Sequence, residues 1–103
     1  MCPTRKKGPT SEPPTPLDRV LKSLADPVRL SIVRQLLAAG DEIACGGFEH
    51  DVTKATFSHH IAILEEAGLL QARADGTRRL MSLRLEFIRK HYPGLLELLR
   101  ASG

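Results

Sequence analysis

One segment near the middle of the chain constrains the fold more than any other, because it has the marks of an amphipathic helix with defined ends. Thr53 can cap its N-terminus, and Gly68 provides the left-handed stop with which helices commonly end. Phe57, Ile61 and Leu64 recur at i, i+4 and i+7, so they form one apolar stripe that faces a core. The segment therefore predicts a helix that packs on one side only.

The other side of this helix, which we place over residues 53 to 67, carries short polar side chains. Lys54, Ser58 and His59 project away from the apolar stripe. Such donors near a helix N-terminus can enter the major groove of DNA and reach base edges or phosphates. The alternative is an ordinary solvated face, and for His60 we prefer packing at the edge of the core because it lies closer to the stripe than His59 does.

A catalytic role for the same residues is disfavoured by geometry. Ser58 and His59 are adjacent, so on a helix their side chains point about 100° apart and cannot hydrogen-bond as nucleophile and base. The chain has no G-x-S-x-G, no phosphate-binding glycine loop and no H-E-x-x-H. We therefore do not expect an enzyme, and no cofactor is evident.

Two helices are predicted before this segment. The first begins after Pro16, and its apolar positions recur at helical spacing: Leu17, Val20, Leu21 and Leu24. The second has a cap followed by a proline, Asp26-Pro27, and stops at Gly40. Its apolar face consists of Leu30, Val33, Leu36 and Leu37. Residues 41 to 50 contain Gly46-Gly47 in a poor helical pattern, so we predict at most a short or broken helix there.

A hairpin and two short helices are predicted after it. Leu70 to Arg73 and Arg78 to Leu85 read as strands around Ala74 to Thr77, and the Asp-Gly pair within that turn is a hairpin signal. The apolar residues that follow are interrupted at Pro93-Gly94, which separates two short helices.

Length and composition agree with a single, mainly helical domain. The chain has 103 residues, a 42% apolar share, 4% aromatic residues and no Trp, so its core is built mostly from aliphatic side chains. Residues 1 to 16 are rich in proline, with three consecutive basic residues from Arg5 to Lys7, and we expect a flexible arm that either contacts phosphate or stays free. Residues 17 to 103 form the domain.

Charge and cysteine content set the expected environment. The net charge of +3 and a pI near 9.2 permit nucleic-acid binding without requiring it. No apolar run is long enough to cross a bilayer, so we expect a cytoplasmic protein without a membrane partner. Two cysteines, Cys2 and Cys45, do not make a secreted disulfide framework, and reduced thiols are expected.

The order of helices followed by a hairpin predicts a mainly α fold with a β-hairpin wing, a winged helix-turn-helix. Three stretches, Leu24 to Val33, Phe57 to Leu70 and Gly76 to Arg79, resemble the arsenic-repressor (ArsR/SmtB-like) family of transcriptional regulators. The resemblance covers about residues 17 to 90. The sequence departs from the family at Gly46-Gly47, where a regular scaffold helix is usual.

The resemblance implies a bacterial homodimeric repressor that binds double-stranded operator DNA and releases it when a metal, metalloid, oxidant or small molecule is sensed. The DNA contacts that it implies map to the recognition helix and the wing: Lys54, Thr56, Ser58, His59, Arg78 and Arg79. The two arginines alternate faces of a strand, so we expect one of them to point at DNA. The alternative for the pair is a solubilising hairpin tip.

An effector site is only partly visible in the sequence. Cys45 lies near the place where metalloid sensors of the family carry a C-x-C pair, but it stands there as a single cysteine. Cys2 of one chain could reach Cys45 of another and give two thiolates for a soft ion or a disulfide switch. The alternative is that Cys45 is a small buried apolar residue and Cys2 is incidental. His91 and Glu97 lack partners at the spacing of the family's other metal site.

The C-terminal leucines have two readings, core or dimer interface. Leucines occur on both the first and the last predicted helix, and a chain this short is expected to bury them against a second copy. The leucines concerned are Leu95, Leu96, Leu98 and Leu99. A two-fold dimer predicts an inverted-repeat operator. The rival from a different class is a winged-helix protein-interaction module that does not bind DNA.

Overall fold

The computed structural model describes residues 16 to 101, and within that range the chain forms five α-helices and one three-stranded antiparallel sheet. In chain order the elements are α1 (Leu17–Leu24), α2 (Pro27–Ala39), β1 (Ile43–Ala44), a 3-10 turn (Cys45–Gly47), α3 (Lys54–Glu66), β2 (Leu70–Asp75), β3 (Arg78–Leu83), α4 (Leu85–His91) and α5 (Leu95–Ala101). This is the predicted mainly α fold with a hairpin wing. The proposed flexible arm lies almost wholly outside the described residues.

The start of α2 follows from a carboxylate and a proline, as predicted. The Asp26 side chain accepts hydrogen bonds from the backbone amides of Val28 at 2.8 Å and Arg29 at 3.2 Å. Pro27 occupies the first helical position, where its missing N–H would have had no intrahelical partner. Burial acts to raise the pKa of Asp26, but the two amide hydrogen bonds and nearby positive charge together lower that pKa below its usual value. Gly40, with φ of 71°, ends the helix.

The segment between α2 and α3 contains a strand that was not predicted. Ile43–Ala44 forms that strand, and the short helix that the sequence allowed here is a single 3-10 turn, Cys45–Gly47. The strand pairs with β3, with Ile43 opposite Met81 and Ala44 opposite Leu80. Residues 48 to 53 then run to α3 without forming a helix. Among the described residues, no α-helix therefore stands where the family usually has its scaffold helix.

The wing is the predicted hairpin with a tighter turn. β2 and β3 pair from Leu70 opposite Leu83 to Asp75 opposite Arg78, which leaves Gly76 and Thr77 as a two-residue loop. Gly76 has φ of 66°, a conformation that glycine adopts without strain. The sheet order is β1-β3-β2, so β3 is central and ends two residues earlier than predicted.

The core lies between the helices and one face of the sheet. Its completely or nearly completely buried side chains come from α1, α2, α3, β3 and α4 and from the residue before β2: Val20, Ile32, Val33, Ile61, Leu64, Leu69, Met81 and Ile88. The two C-terminal helices separate at Pro93-Gly94 as predicted, and Leu95, Leu96 and Leu99 of α5 are buried. In the part of the chain that the structure describes, no helix is both long and apolar enough to span a bilayer.

Candidate nucleic-acid interface

The N-terminus of α3 is fixed by Thr53, as the sequence predicted. The Thr53 hydroxyl accepts a hydrogen bond from the Thr56 backbone amide at 3.2 Å and donates to the Thr56 hydroxyl at 3.0 Å. The helix then runs from Lys54 to Glu66, and its cap residues are Thr53 and Ala67. A capped helix end holds its first side chains in defined positions.

Burial decides which face of α3 is available to a partner. Phe57, Ile61 and Leu64 are at most 3% exposed, and His60 beside them is 9% exposed. The predicted packing of His60 at the core edge is therefore confirmed. Lys54, Thr56, Ser58 and His59 are all exposed. The structure brings together the four recognition-helix residues that the sequence singled out on one accessible end of α3.

The irregular segment in front of α3 is tied to α2 by Gln35, which sequence reasoning missed. The Gln35 amide nitrogen donates to the Glu49 carbonyl oxygen at 2.9 Å, and the Glu49 amide donates to the Gln35 side-chain oxygen at 2.9 Å. This pair of bonds satisfies a loop residue in the way a strand neighbour would. The Gln35 nitrogen also donates to the Ser31 hydroxyl at 3.1 Å.

Two aromatic contacts complete the support of α3. The His50 ring stacks on Phe57 with 4.1 Å between ring centroids and 15° between ring planes. Phe48 is buried and its centroid lies 5.5 Å from that of Phe57. The Val52 amide donates to His50 Nδ1 at 3.3 Å, which fixes the ring orientation. Phe57 is thus both a core residue of α3 and the surface on which the preceding loop packs.

The two wing arginines have different surroundings. Arg78 lies next to the turn, its side chain is 62% exposed, and its ion pair with Asp75 is long at 3.3 Å. Arg79 instead reaches across to α3, where it contacts Glu65 at 3.4 Å. Ion pairs between exposed side chains contribute little to stability, about 0 to 1 kcal/mol. Arg78 therefore presents its guanidinium at the wing tip, whereas Arg79 links the wing to the recognition helix.

A third arginine connects the wing to the segment after α2. Arg73 Nε and Nη2 donate to the two Glu42 carboxylate oxygens at 2.6 Å and 2.9 Å, a bidentate pair. The hydrogen bond from Arg73 lowers the pKa of Glu42 below its usual value. The same hydrogen bond raises the pKa of Arg73. This pair joins β2 to the residue just before β1.

The residues considered for an effector site are dispersed or lie outside the description. Cys45 is half-buried in the 3-10 turn and packs against the core. Within residues 16 to 101, no three His, Cys, Asp or Glu side chains group closely enough to hold a metal ion. Cys2, like the basic residues Arg5 to Lys7, is not among the described residues, so its pairing with Cys45 stays a prediction.

A second surface, formed by α1 and α5, is apolar. Leu17, Leu21 and Leu98 are 57%, 49% and 60% exposed, and they are the large hydrophobic side chains that remain exposed within residues 16 to 101. They line one groove of about 640 Å³ together with Tyr92 and Leu95. Contiguous apolar surface of this kind marks an interaction site more often than chance exposure does.

Comparison with known proteins agrees with this geometry. Residues 24 to 71 match a helix-turn-helix domain family. The chain is 39% identical over 83 residues to an uncharacterised helix-turn-helix transcriptional regulator of Bacillus subtilis, covering 79% of this chain and 83% of that protein. It is 37% identical over 73 residues to the arsenical resistance operon repressor of Staphylococcus xylosus, covering 70% and 69%.

Solved structures show the same fold. The transcriptional repressor BigR from Xylella fastidiosa superposes with a TM-score of 0.64 at 24% identity, over 82% of this chain and 80% of that one. An ArsR family transcriptional regulator of known structure gives a TM-score of 0.63 at 22% identity, over 84% and 89%. The order of elements in this chain is thus shared with proteins whose sequences have diverged widely.

Proposed function

Because this chain belongs to the arsenic-repressor (ArsR) family of winged helix-turn-helix transcriptional regulators, we propose that it binds operator DNA as a homodimer and represses transcription until a signal releases it. Members of the family are DNA-binding regulators and not enzymes. The proposal assigns α3 to the major groove, the wing to the flanking backbone, and α1 and α5 to the dimer interface.

One observation carries the DNA assignment, namely that α3 is polar where it is exposed and apolar where it is buried. Phe57, Ile61 and Leu64 hold the helix on the core, and Ser58 and His59 stay accessible close to its capped N-terminus. In helix-turn-helix proteins the N-terminal residues of the second helix reach base edges. We assign base contacts to these two polar residues and phosphate or base contacts to the flanking positions, Lys54 and Thr56.

The wing supports the same docking mode. Its two arginines are not equally placed for contact with DNA. Arg78 is exposed at the tip and its ion pair with Asp75 is weak, so exchanging that partner for a phosphate costs little. Arg79 has an equally long ion pair, at 3.4 Å to Glu65 of α3, but its side chain is less exposed, at 45% against 62% for Arg78. We assign Arg78 as the principal phosphate contact and Arg79 as a secondary one.

The dimer assignment follows from the apolar surface defined above. α1 and α5 present three half-exposed leucines around one groove, and a second copy offers the same apolar groove in return. A two-fold interface is self-complementary, so a single patch suffices to build it. Such a dimer presents two recognition helices to an inverted-repeat operator, about one helical turn apart.

The test is a fluorescence-anisotropy titration of the reduced protein against the DNA upstream of its own gene, beside a scrambled duplex, at fixed salt. Specific recognition requires binding that is roughly a thousandfold tighter for the native duplex. His59→Ala should lower affinity for the native duplex alone, because base contacts carry sequence preference.

The wing is tested separately through salt dependence. Arg78→Ala should weaken both duplexes alike and reduce the salt slope by about one, since one phosphate contact is lost. Lys90→Ala removes one exposed positive charge from α4 and serves as the matched control, with an unchanged slope. Weak and equal binding to every duplex tried would instead favour the protein-interaction module.

A further inference from the structure

One partly buried polar link joins three helices of the domain. The guanidinium of Arg29, in the first turn of α2, donates from Nε to the Ser23 carbonyl oxygen of α1 at 2.6 Å. From Nη1 it makes a 3.0 Å hydrogen bond to His60 Nδ1 of α3. Ser23 and His60 are both buried, at 4% and 9% exposure. A single side chain thus connects the end of α1 to the middle of the recognition helix.

The donors and acceptors in this link are set by the chemistry of its side chains. Arginine carries N–H donors only, so His60 Nδ1 accepts, and the neutral ring then carries its proton on Nε2. The Ser23 carbonyl belongs to the last turn of α1, where carbonyls lack an intrahelical partner. The planar guanidinium fixes the directions of its two bonds, which a flexible lysine ammonium does not do. Both partners of Arg29 are therefore held at a set angle to each other.

We propose that Arg29 and His60 are positioning residues for DNA reading, which fix the orientation of α3 relative to α1. Neither role requires contact with DNA, since His60 lies on the core side of the helix. If α1 belongs to the dimer interface, as the proposed function states, this link helps to set the position of α3 relative to the α3 helix of the second copy. The pair then sets the half-site spacing that the dimer accepts.

The test uses variants that separate the link from charge and from folding. Arg29→Lys keeps the charge but cannot hold the two bonds in a rigid plane. His60→Leu removes the acceptor, whereas His60→Asn places an amide oxygen close to the position of Nδ1. We expect Arg29→Lys and His60→Leu to bind the operator about tenfold more weakly, the loss of about one base contact, with unchanged binding to a scrambled duplex. His60→Asn should recover most of the affinity.

Half-site spacing is the measurement that a merely stabilising role would not change. Native protein should discriminate against operators whose half-sites are moved one base pair closer or farther apart, and Arg29→Lys should discriminate less. The proposal would be overturned if Arg29→Lys and His60→Leu both discriminated between half-site spacings as well as the native protein does. An equal loss of affinity for all duplexes, the scrambled one included, would also overturn it.

A measurement on the free protein distinguishes failure of this inference from failure of the proposed function. Amide hydrogen exchange in α3 should be faster in Arg29→Lys than in the native protein, with α5 unchanged, because α3 is held by the link and α5 takes no part in it. Unchanged exchange in α3 would refute the positioning role whether or not an operator is found. If His60→Leu does not fold, the contrast between Arg29→Lys and His60→Asn remains decisive.

Discussion

The half-exposed leucines of α1 and α5 give a quantitative prediction for Leu98→Ala. Leu98 is 60% exposed in the single chain, and burying a whole leucine side chain contributes about 2 kcal/mol. Covering the exposed part in a dimer is therefore worth about 1.2 kcal/mol, and a two-fold interface contains the residue twice. Truncation to alanine removes most of that side chain, so the loss approaches about 2 kcal/mol, or about thirtyfold in the dimer Kd.

Sedimentation equilibrium over a series of protein concentrations measures this dimer Kd directly. Leu98→Met conserves volume and is the matched control, with a Kd close to that of the native chain. Because Leu98 is largely exposed in the single chain, its truncation should leave the unfolding free energy of the monomer nearly unchanged. A native chain that is monomeric at micromolar concentrations, or a Leu98→Ala variant that dimerises as tightly as Leu98→Met, would refute the α1–α5 interface.

Three further predictions concern the supports of the recognition helix and the wing. Thr53→Ala should cost about 1 kcal/mol of stability in chemical denaturation because the helix loses its cap, and Thr53→Ser should restore it. Gln35→Ala should speed amide exchange at Glu49 and weaken operator binding several-fold, because both hydrogen bonds between the Gln35 side chain and the Glu49 backbone are lost. An exchange rate at Glu49 equal to that of the native chain would contradict this role of Gln35. Glu42 has its pKa lowered by Arg73, so its stabilisation is present at neutral pH and is lost as pH falls below its usual value of 4.5. Thermal melting of Glu42→Gln should accordingly show a shallower loss of stability in acid than the native chain, and parallel curves would count against the ion pair.

The elements that the sequence predicted correctly are those whose ends are marked by local start and stop signals, such as capping residues and left-handed glycines. Asp26 and Pro27 begin α2, and Gly40 ends it, through hydrogen bonds and dihedral angles confined to a few residues. The same holds for α3, which begins after Thr53 and is followed by Gly68 with φ of 85°. Caps and left-handed stops depend on neighbours along the chain, so one sequence is enough to place them.

The elements that it missed depend on distant partners. β1 has two residues, Ile43 and Ala44, and its pairing partners are Met81 and Leu80 of β3. A strand of this length has no readable periodicity, because two positions cannot establish an alternation. Leu80 and Met81 are both buried, although adjacent residues of a strand point to opposite faces of the sheet. Features of this kind depend on contacts between parts of the chain that are distant in sequence, so local sequence patterns do not reveal them.

The candidate site shows the same division between local and distant information. Strand alternation indicated that Arg78 and Arg79 face opposite ways, but it could not say which one faces the recognition helix. Arg79 is the one on that side, since its guanidinium lies 3.4 Å from the carboxylate of Glu65, fourteen residues earlier in the chain. The register of the hairpin, in which Arg79 pairs with Ala74 and Arg78 with Asp75, therefore decides which guanidinium faces outward.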